Sequence, residues 1–264
     1  MGCHVLDYCN YRMTVKLSFI LGVLASVTAC ADPIVFESPE RQTALLELFT
    51  SEGCSSCPPA ESLLSQLKQK PGLWSDFVPV AFHVDYWDYL GWRDKWASHE
   101  FSDRQRDYAQ TWGTDSVYTP GFVLNGKEWR NWFGLRKVPT GSQTTAGVLR
   151  IVSEDANRWS VSFVPASSGA SNYEVHAALL VSGVSSEVKR GENAGRHLLH
   201  DFAALTLLTQ TLTPTNEGFQ ATFLIDTKKN LTEGRLAVAF WTTHSGHLEP
   251  IQAVGGWLSS PQKN

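Results

Sequence analysis

The 264-residue chain has no run of lysine and arginine and no basic stripe interleaved with aromatic residues, which excludes an evident nucleic-acid surface. Past the N-terminal segment, no stretch is apolar enough to cross a membrane as a helix. There is no internal repeat and no low-complexity tract, so neither a repeat array nor a compositionally disordered linker is expected. A nucleophile-elbow sequence and a Walker-type glycine-rich loop are both missing, and with them the usual marks of Ser-His-Asp hydrolysis and phosphate cradling. Cysteine is scarce, at five residues, whereas a secreted domain held by disulfides carries more of them at wider spacing.

What is present begins with a targeting signal over residues 1–31. Arg12 and Lys16 supply positive charge, residues 17–27 form an apolar core too short for a comfortable membrane span, and small residues follow. Met13 is a second candidate start. Two exits from the signal are open. Val27-Thr28-Ala29-Cys30 resembles a bacterial lipobox, which would leave Cys30 lipidated as the first residue; Ala29-Cys30-Ala31 is a small-x-small site that would release a soluble protein. The expectation is an exported, periplasmic protein whose membrane contact, if it has any, is a lipid at Cys30. Export removes Cys3 and Cys9, and Cys30 is cleaved away or lipidated, so Cys54 and Cys57 are the cysteines that remain. A loop this small stabilises a fold little through chain entropy, which favours a reactive role. Setting aside Asp7, Arg12 and Lys16 leaves 20 basic and 25 acidic residues, a modest negative balance.

Residues 43–49 read as a central strand. A helix over 60–68 follows, with Leu63, Leu64 and Leu67 at helical spacing; Pro58 and Pro59 fit its first turn and Pro71-Gly72 ends it. Residues 77–84 form a second apolar strand, which implies a right-handed crossover onto a parallel pair. Residues 85–113 hold Tyr86, Trp87, Tyr89, Trp92, Trp96, Phe101, Tyr108 and Trp112. They read as packing for an inserted helix over 102–112, with Asp103 and Arg106 as exposed partners, or alternatively, over 86–92, as a lip that contacts a substrate beside the cysteines. Residues 117–124 form a strand interrupted at Thr119-Pro120, where an edge position or a cis bond is expected; Asn125-Gly126 turns a hairpin and residues 127–132 return. Residues 140–145 are small and polar, a candidate linker. Beyond it, strands over 147–153, 158–165, 173–182, 218–225 and 235–242, with one or two more over 198–212, suggest a β-rich, sandwich-like domain at 146–258.

The strand to Phe49, Cys54-Ser55-Ser56-Cys57 at a helix start, and Thr119-Pro120 entering a strand together resemble the thioredoxin superfamily over residues 41–138. More narrowly, residues 48–59 and the run Arg190-Gly191-Glu192-Asn193-Ala194-Gly195-Arg196 are similar to a secreted bacterial family known as domain of unknown function 1223, over roughly 41–258. The fold class this implies is α/β, a thioredoxin-like domain with an aromatic insertion followed by the β-rich domain. The departures are a Ser-Ser pair between the cysteines, Gly53 instead of tryptophan before Cys54, and Leu48 at the spacing of the usual buried acid, with Glu47 one residue further.

The resemblance implies thiol–disulfide exchange on protein thiols or disulfides, without an organic cofactor and with a separate redox partner. Catalytic positions would be Cys54, Cys57, Pro120 and Thr119. Cys54 is the expected exposed nucleophile, activated by the unpaired N–H groups of the helix start, with Cys57 resolving the mixed disulfide. Glu52 would oppose thiolate formation if it approached Cys54, and Pro120, if cis, would shape the edge against which a substrate chain lies. Two other readings stay open. One is Cu(I) or zinc binding and delivery by Cys54, Cys57 and His83. The other is a non-catalytic binding module pinned by the disulfide. His197-x-x-His200 and His244-x-x-His247 have ligand-like spacing but read more simply as strand and turn histidines. The 190–196 run reads as a structural loop between the two domains, or as a ligand loop.

Overall fold

The computed structural model describes residues 33–132, 143–155, 157–167, 172–227 and 233–258. The signal segment, Cys30, residues 133–138 and the first half of the candidate linker lie outside them. The elements run β1 (Val35–Glu37), β2 (Ala44–Thr50), α1 (Pro58–Gln66), β3 (Phe77–His83), α2 (His99–Thr111), β4 (Gly121–Leu124), β5 (Lys127–Glu128), β6 (Gly147–Ser153), β7 (Arg158–Pro165), β8 (Tyr173–Ser182), β9 (Val184–Glu187), β10 (His197–His200), β11 (Ala203–Thr211), β12 (Thr213–Thr215), β13 (Gly218–Leu224), β14 (Arg235–His244) and β15 (Pro250–Trp257). The class is mixed α/β. An eight-stranded mixed sheet has the order β15-β14-β8-β11-β3-β2-β4-β5, and a five-stranded antiparallel sheet has the order β1-β6-β7-β13-β12; β9 and β10 pair separately.

β2 and β3 are parallel, as the strand–helix–strand pattern requires, and β11 adds a second parallel neighbour to β3. The strands expected over 146–258 divide between the two sheets. β6, β7, β12 and β13 build the five-stranded sheet, while β8, β11, β14 and β15 continue the sheet that holds β2, β3 and β4.

Register partners share a face, so Leu48, Ala81, Ala203, Val181 and Leu236 all point one way. Thr50 is on that face and bonds Glu61 of α1, while Phe49, on the opposite face, packs edge-on against Tyr108 of α2. α1 and α2 therefore cover opposite faces. Farther along the first face, Val175, Ala177 and Leu179 of β8 with Val238 and Phe240 of β14 meet Leu149, Ile151, Val161 and Phe163 of the five-stranded sheet. Cover on both faces explains why β2, β3 and most of β8 are buried at nearly every position and read as continuous apolar runs.

Local features follow from residue chemistry. α2 buries Phe101, Arg104, Gln105 and Tyr108, a stripe at helical spacing, and leaves Asp103 and Arg106 paired at 2.6 Å on its exposed side. Asn125 and Gly126 both have positive φ, as a two-residue hairpin turn demands. The Thr119–Pro120 peptide is cis. β15, which carries Gly255-Gly256, had no counterpart among the expected strands. In the fold the pair permits close approach: a Cβ on Gly256 would lie 1.9 Å from a ring carbon of Phe36, and one on Gly255 would lie 2.7 Å from the Trp74 ring.

Candidate functional site

β2 delivers the chain to Ser51, a turn follows through Gly53, and Cys54 and Cys57 are joined as a disulfide with Cα atoms 5.5 Å apart. Cys57 is the N-cap of α1, and Pro58 and Pro59 fill its first two positions. These prolines have no N–H, and the next two donors, Ala60 and Glu61, bond the Cys57 carbonyl at 2.9 and 3.1 Å. The helix start therefore offers the sulfurs fewer unpaired N–H groups than the sequence reading assumed. Exposure also needs correcting. Cys54, expected to be open to solvent, is 1% exposed, and Cys57 is 0% exposed; solvent meets Ser55 and Ser56 instead.

Two segments close over the cysteine loop. The first is the 190–196 loop. Asn193 is fully buried, and its amide donates to the carbonyls of Glu52 (2.8 Å) and Cys54 (2.9 Å), while Arg196 donates to its Oδ1 at 2.8 Å. Glu192 accepts from the Ser55 backbone N–H at 3.1 Å and from its hydroxyl at 2.7 Å, which holds the Glu192 carboxyl below its usual range. The structural reading of this loop understated its position, because it grips the cysteine loop directly. The second segment is aromatic. A Cβ on Gly53 would lie 2.8 Å from the Trp87 Cβ, and the Trp87 indole donates to the Thr119 hydroxyl at 2.8 Å. Trp87 thus ties the cysteine loop to the cis-proline loop. Gly121, which follows Pro120, is the register partner of Phe49, so that loop lies beside the end of β2.

Beneath the loop lies a buried polar cluster. His83, at the end of β3, shares a hydrogen bond with Asp94 at 2.7 Å, and Asp94 also accepts from the Glu52 N–H at 2.8 Å. His200 of β10 bonds Glu61 of α1 at 2.6 Å through Nδ1, and its Nε2 is 3.2 Å from Glu52 Oε1. Thr50 donates to Glu61 at 2.7 Å, and the Trp92 indole donates to Glu52 Oε2 at 2.6 Å. The two imidazole rings meet edge to face at 5.0 Å. Burial opposes charge on every member. For His200, hydrogen bonds and charge from Glu52 and Glu61 outweigh burial, and its pKa is pushed up to about 10. Burial of His83 is likewise outweighed by the Asp94 carboxylate, which raises its pKa. Glu61 and Asp94 are held below their usual values, because the imidazoles overcome the cost of burial.

Glu52 does not face Cys54 from solvent, as the sequence reading considered; it is fully buried and directed at His200 and Trp92. The carboxylate at the cysteine loop is Glu192. His83 lies with Glu61 and His200, the described side chains whose potential ligand atoms converge, and neither cysteine belongs to that set. His197 is exposed and pairs with Glu187, so the two histidines of His197-x-x-His200 have separate environments. Asp94 and the particular roles of Asn193 and His200 escaped sequence reasoning. The available signal was the 190–196 motif just before His200. One prediction arises here. Glu192→Gln removes a negative charge beside Ser55, so alkylation of the reduced protein by iodoacetamide at neutral pH is expected to accelerate about threefold, the order of one screened unit charge at close range. An unchanged rate would mean that Glu192 is electrostatically silent toward the thiols.

A disulfide at the start of a helix, held between the turn after β2 and a Glu-Asn loop, defines a Cys-x-x-Cys protein of mixed α/β fold. The chain belongs to the family described as "Protein of unknown function (DUF1223)", whose profile matches residues 45–242. Among solved structures it is similar to protein AGR_C_4864 from Agrobacterium tumefaciens, with 23% identity and a TM-score of 0.55 over 86% of this chain and 98% of that one. It is also similar to HBP35 of Porphyromonas gingivalis, with 13% identity and a TM-score of 0.55 over 83% of this chain and 76% of that one. At these identities the likeness speaks to the fold. No curated protein matches the sequence.

Proposed function

We propose that this chain is an exported thiol–disulfide exchange protein, periplasmic and either soluble or lipid-anchored at Cys30, built on a thioredoxin-like unit within residues 41–138. The observation that carries the reading is the Cys54–Cys57 disulfide at the N-terminus of α1, bridged through Trp87 to the Thr119–Pro120 loop. In exchange, a substrate thiolate attacks the Cys54 sulfur. The Cys54–Cys57 bond breaks, a mixed disulfide forms, and Cys57 leaves as a thiolate that takes a proton. A second substrate thiol then displaces Cys54, so the substrate is oxidised by two electrons and the pair is reduced. The reverse sequence reduces a substrate disulfide, with Cys57 resolving the intermediate. Either direction requires a second redox partner to reset the pair. Thr119 and Pro120 would border the substrate chain, and the 86–92 aromatics would flank it.

The test is trapping. Cys57→Ser in an exported sample is expected to accumulate mixed disulfides through Cys54, visible by mass spectrometry and lost in Cys54→Ser. An exported, folded Cys57→Ser protein that captures nothing would sink the reading.

Burial of both sulfurs favours a second reading, in which the disulfide pins the loop of a non-catalytic binding module. Insulin reduction separates the two: equal, background-level rates for wild type and Cys54→Ser would support the module.

A further inference from the structure

The cluster under the cysteine loop has a pattern that hydrogen bonding within the protein does not complete. His83 Nε2 is buried without a partner, and His200 Nε2 and Glu52 Oε1 have only each other, as an ion pair at 3.2 Å. Unpartnered buried polar atoms call for a water, an ion or a functional role. Three carboxylates, those of Glu52, Glu61 and Asp94, surround the two imidazoles, and among the described residues no lysine or arginine forms an ion pair with any of them. The site is therefore rich in anionic donors and poor in fixed positive charge.

The arrangement also matches the outer shell of a metal centre. A ligating histidine commonly donates its other ring N–H to a carboxylate, which fixes the tautomer and strengthens the ligand. His83 directs Nδ1 to Asp94 at 2.7 Å, leaving Nε2 free to ligate. His200 has Glu61 on Nδ1 at 2.6 Å and Glu52 beside Nε2. Candidate ligand atoms of Glu61, His83 and His200 lie within 4.8 Å of one another, and an ion between them would widen the 2.6 Å His200–Glu61 contact. Glu61 also lines a groove of about 800 Å³ between α1 and β10, shared with Lys68, Arg196 and Asp201, which gives an ion a way in.

We infer that Glu61, His83 and His200 form a binding site for a divalent first-row transition ion of the zinc class, distinct from the cysteine pair. The ion takes the place of the proton shared by His200 Nδ1 and Glu61. His200 then donates Nε2–H to Glu52, and His83 ligates through Nε2 while Asp94 holds its Nδ1–H. Two nitrogens and a carboxylate oxygen suit Zn²⁺ or Co²⁺ and leave room for a fourth ligand. Nothing in this inference requires exchange chemistry at Cys54 and Cys57.

The test uses the disulfide-bonded full chain, stripped with a chelator and titrated with Co²⁺, and the Cys54→Ser/Cys57→Ser double variant beside it. Neither form has a free thiolate at position 54 or 57, so ligation by that pair is excluded. The expected result is one equivalent of Co²⁺ with visible d–d bands, no sulfur-to-metal charge-transfer band, and displacement by Zn²⁺. His83→Gln and Glu61→Gln should each weaken binding by about a hundredfold or more, while the exposed control His247→Ala should leave it unchanged. Should the buried-site variants fail to fold, histidine ¹⁵N resonances of the wild type settle the matter: Zn²⁺ should shift His83 and His200 and spare His176. Less than a tenth of an equivalent bound by the folded wild type (about the background of such titrations) would overturn the inference, as would binding that survives both glutamine variants. Neither outcome touches the trapping experiment, so the two readings stand or fall separately.

Discussion

Replacing Arg104 by methionine is expected to destabilise the protein by about 3–5 kcal/mol, the range for removing one partner of a buried ion pair. Its guanidinium Nε donates to Glu47 at 2.7 Å, with Arg104 6% exposed and Glu47 0% exposed. Tyr108 completes the network, donating to the other Glu47 oxygen at 2.5 Å and accepting from Arg104 at 3.2 Å. The cation is also packed 5.1 Å from the Trp241 ring and 5.2 Å from that of Tyr108. Burial alone would lower the Arg104 pKa, but Glu47 outweighs it and the pKa is raised, so Arg104 stays charged wherever the protein folds. The methionine variant strands a carboxylate in the core with one hydroxyl for company. For a domain of this size the loss corresponds to a drop in Tm on the order of 10 °C. Arg104→Met combined with Glu47→Met should recover much of it, because two apolar groups leave no orphaned charge. Urea melts of the two single variants and the double variant decide the matter. A single-variant loss under about 1 kcal/mol, with additive effects, would show that the pair is not coupled.

This network also marks the limit of what the chain discloses to a reader. Strands β6, β7 and β8 have the limits that their alternation and turn signals suggested, because two-faced burial and short turns leave local traces. The Asp103–Arg106 pair was legible because both residues sit on one exposed helix face. Arg104, between them, points the other way and finds its partner on a strand 57 residues earlier, which no local spacing encodes. The same holds for the candidate site. The Cys-x-x-Cys pair is a local signal, and so is Thr119-Pro120 entering a strand, for which an edge position or a cis bond was expected and the bond is cis. The burial of Cys54, the grip of Asn193 and the meeting of His83 with His200 depend on β9, β10 and the loop between them returning over α1, a long-range event. β15 left no such local trace, and its Gly255-Gly256 pair shows why. A glycine pair reads as a turn unless one knows that a second sheet lies against it.

Asn193→Ala is expected to cost about 1–3 kcal/mol, because its amide is the donor to two buried carbonyls that alanine leaves unsatisfied. The sharper consequence concerns access. Cys54 is covered, so any thiol that attacks it must wait for the cysteine loop to open locally. Asn193 bonds the carbonyls on both sides of Gly53, the residue that packs on Trp87, and so holds the loop at its middle. Without that bond the opening free energy falls by the same 1–3 kcal/mol. Reduction of the disulfide by dithiothreitol under native conditions should then accelerate about tenfold or more, with each 1.4 kcal/mol contributing a factor of ten. Asn193→Asp should act in the same direction and more strongly, since it replaces the donor by a carboxylate facing two carbonyl oxygens. The control is an exposed substitution such as His197→Ala, which should leave the rate unchanged. Comparing reduction rates with global stability separates two roles for the loop. If Asn193→Ala lowers the urea midpoint but is reduced at the wild-type rate, the loop is a staple for the fold, and access to Cys54 is controlled elsewhere, with Trp87 the next residue to test. If the rate rises while the unfolding slope stays constant, the 190–196 loop is the gate over the disulfide. Glu192, at the solvent edge of that gate, then adjusts the reactivity of a sulfur that Asn193 uncovers.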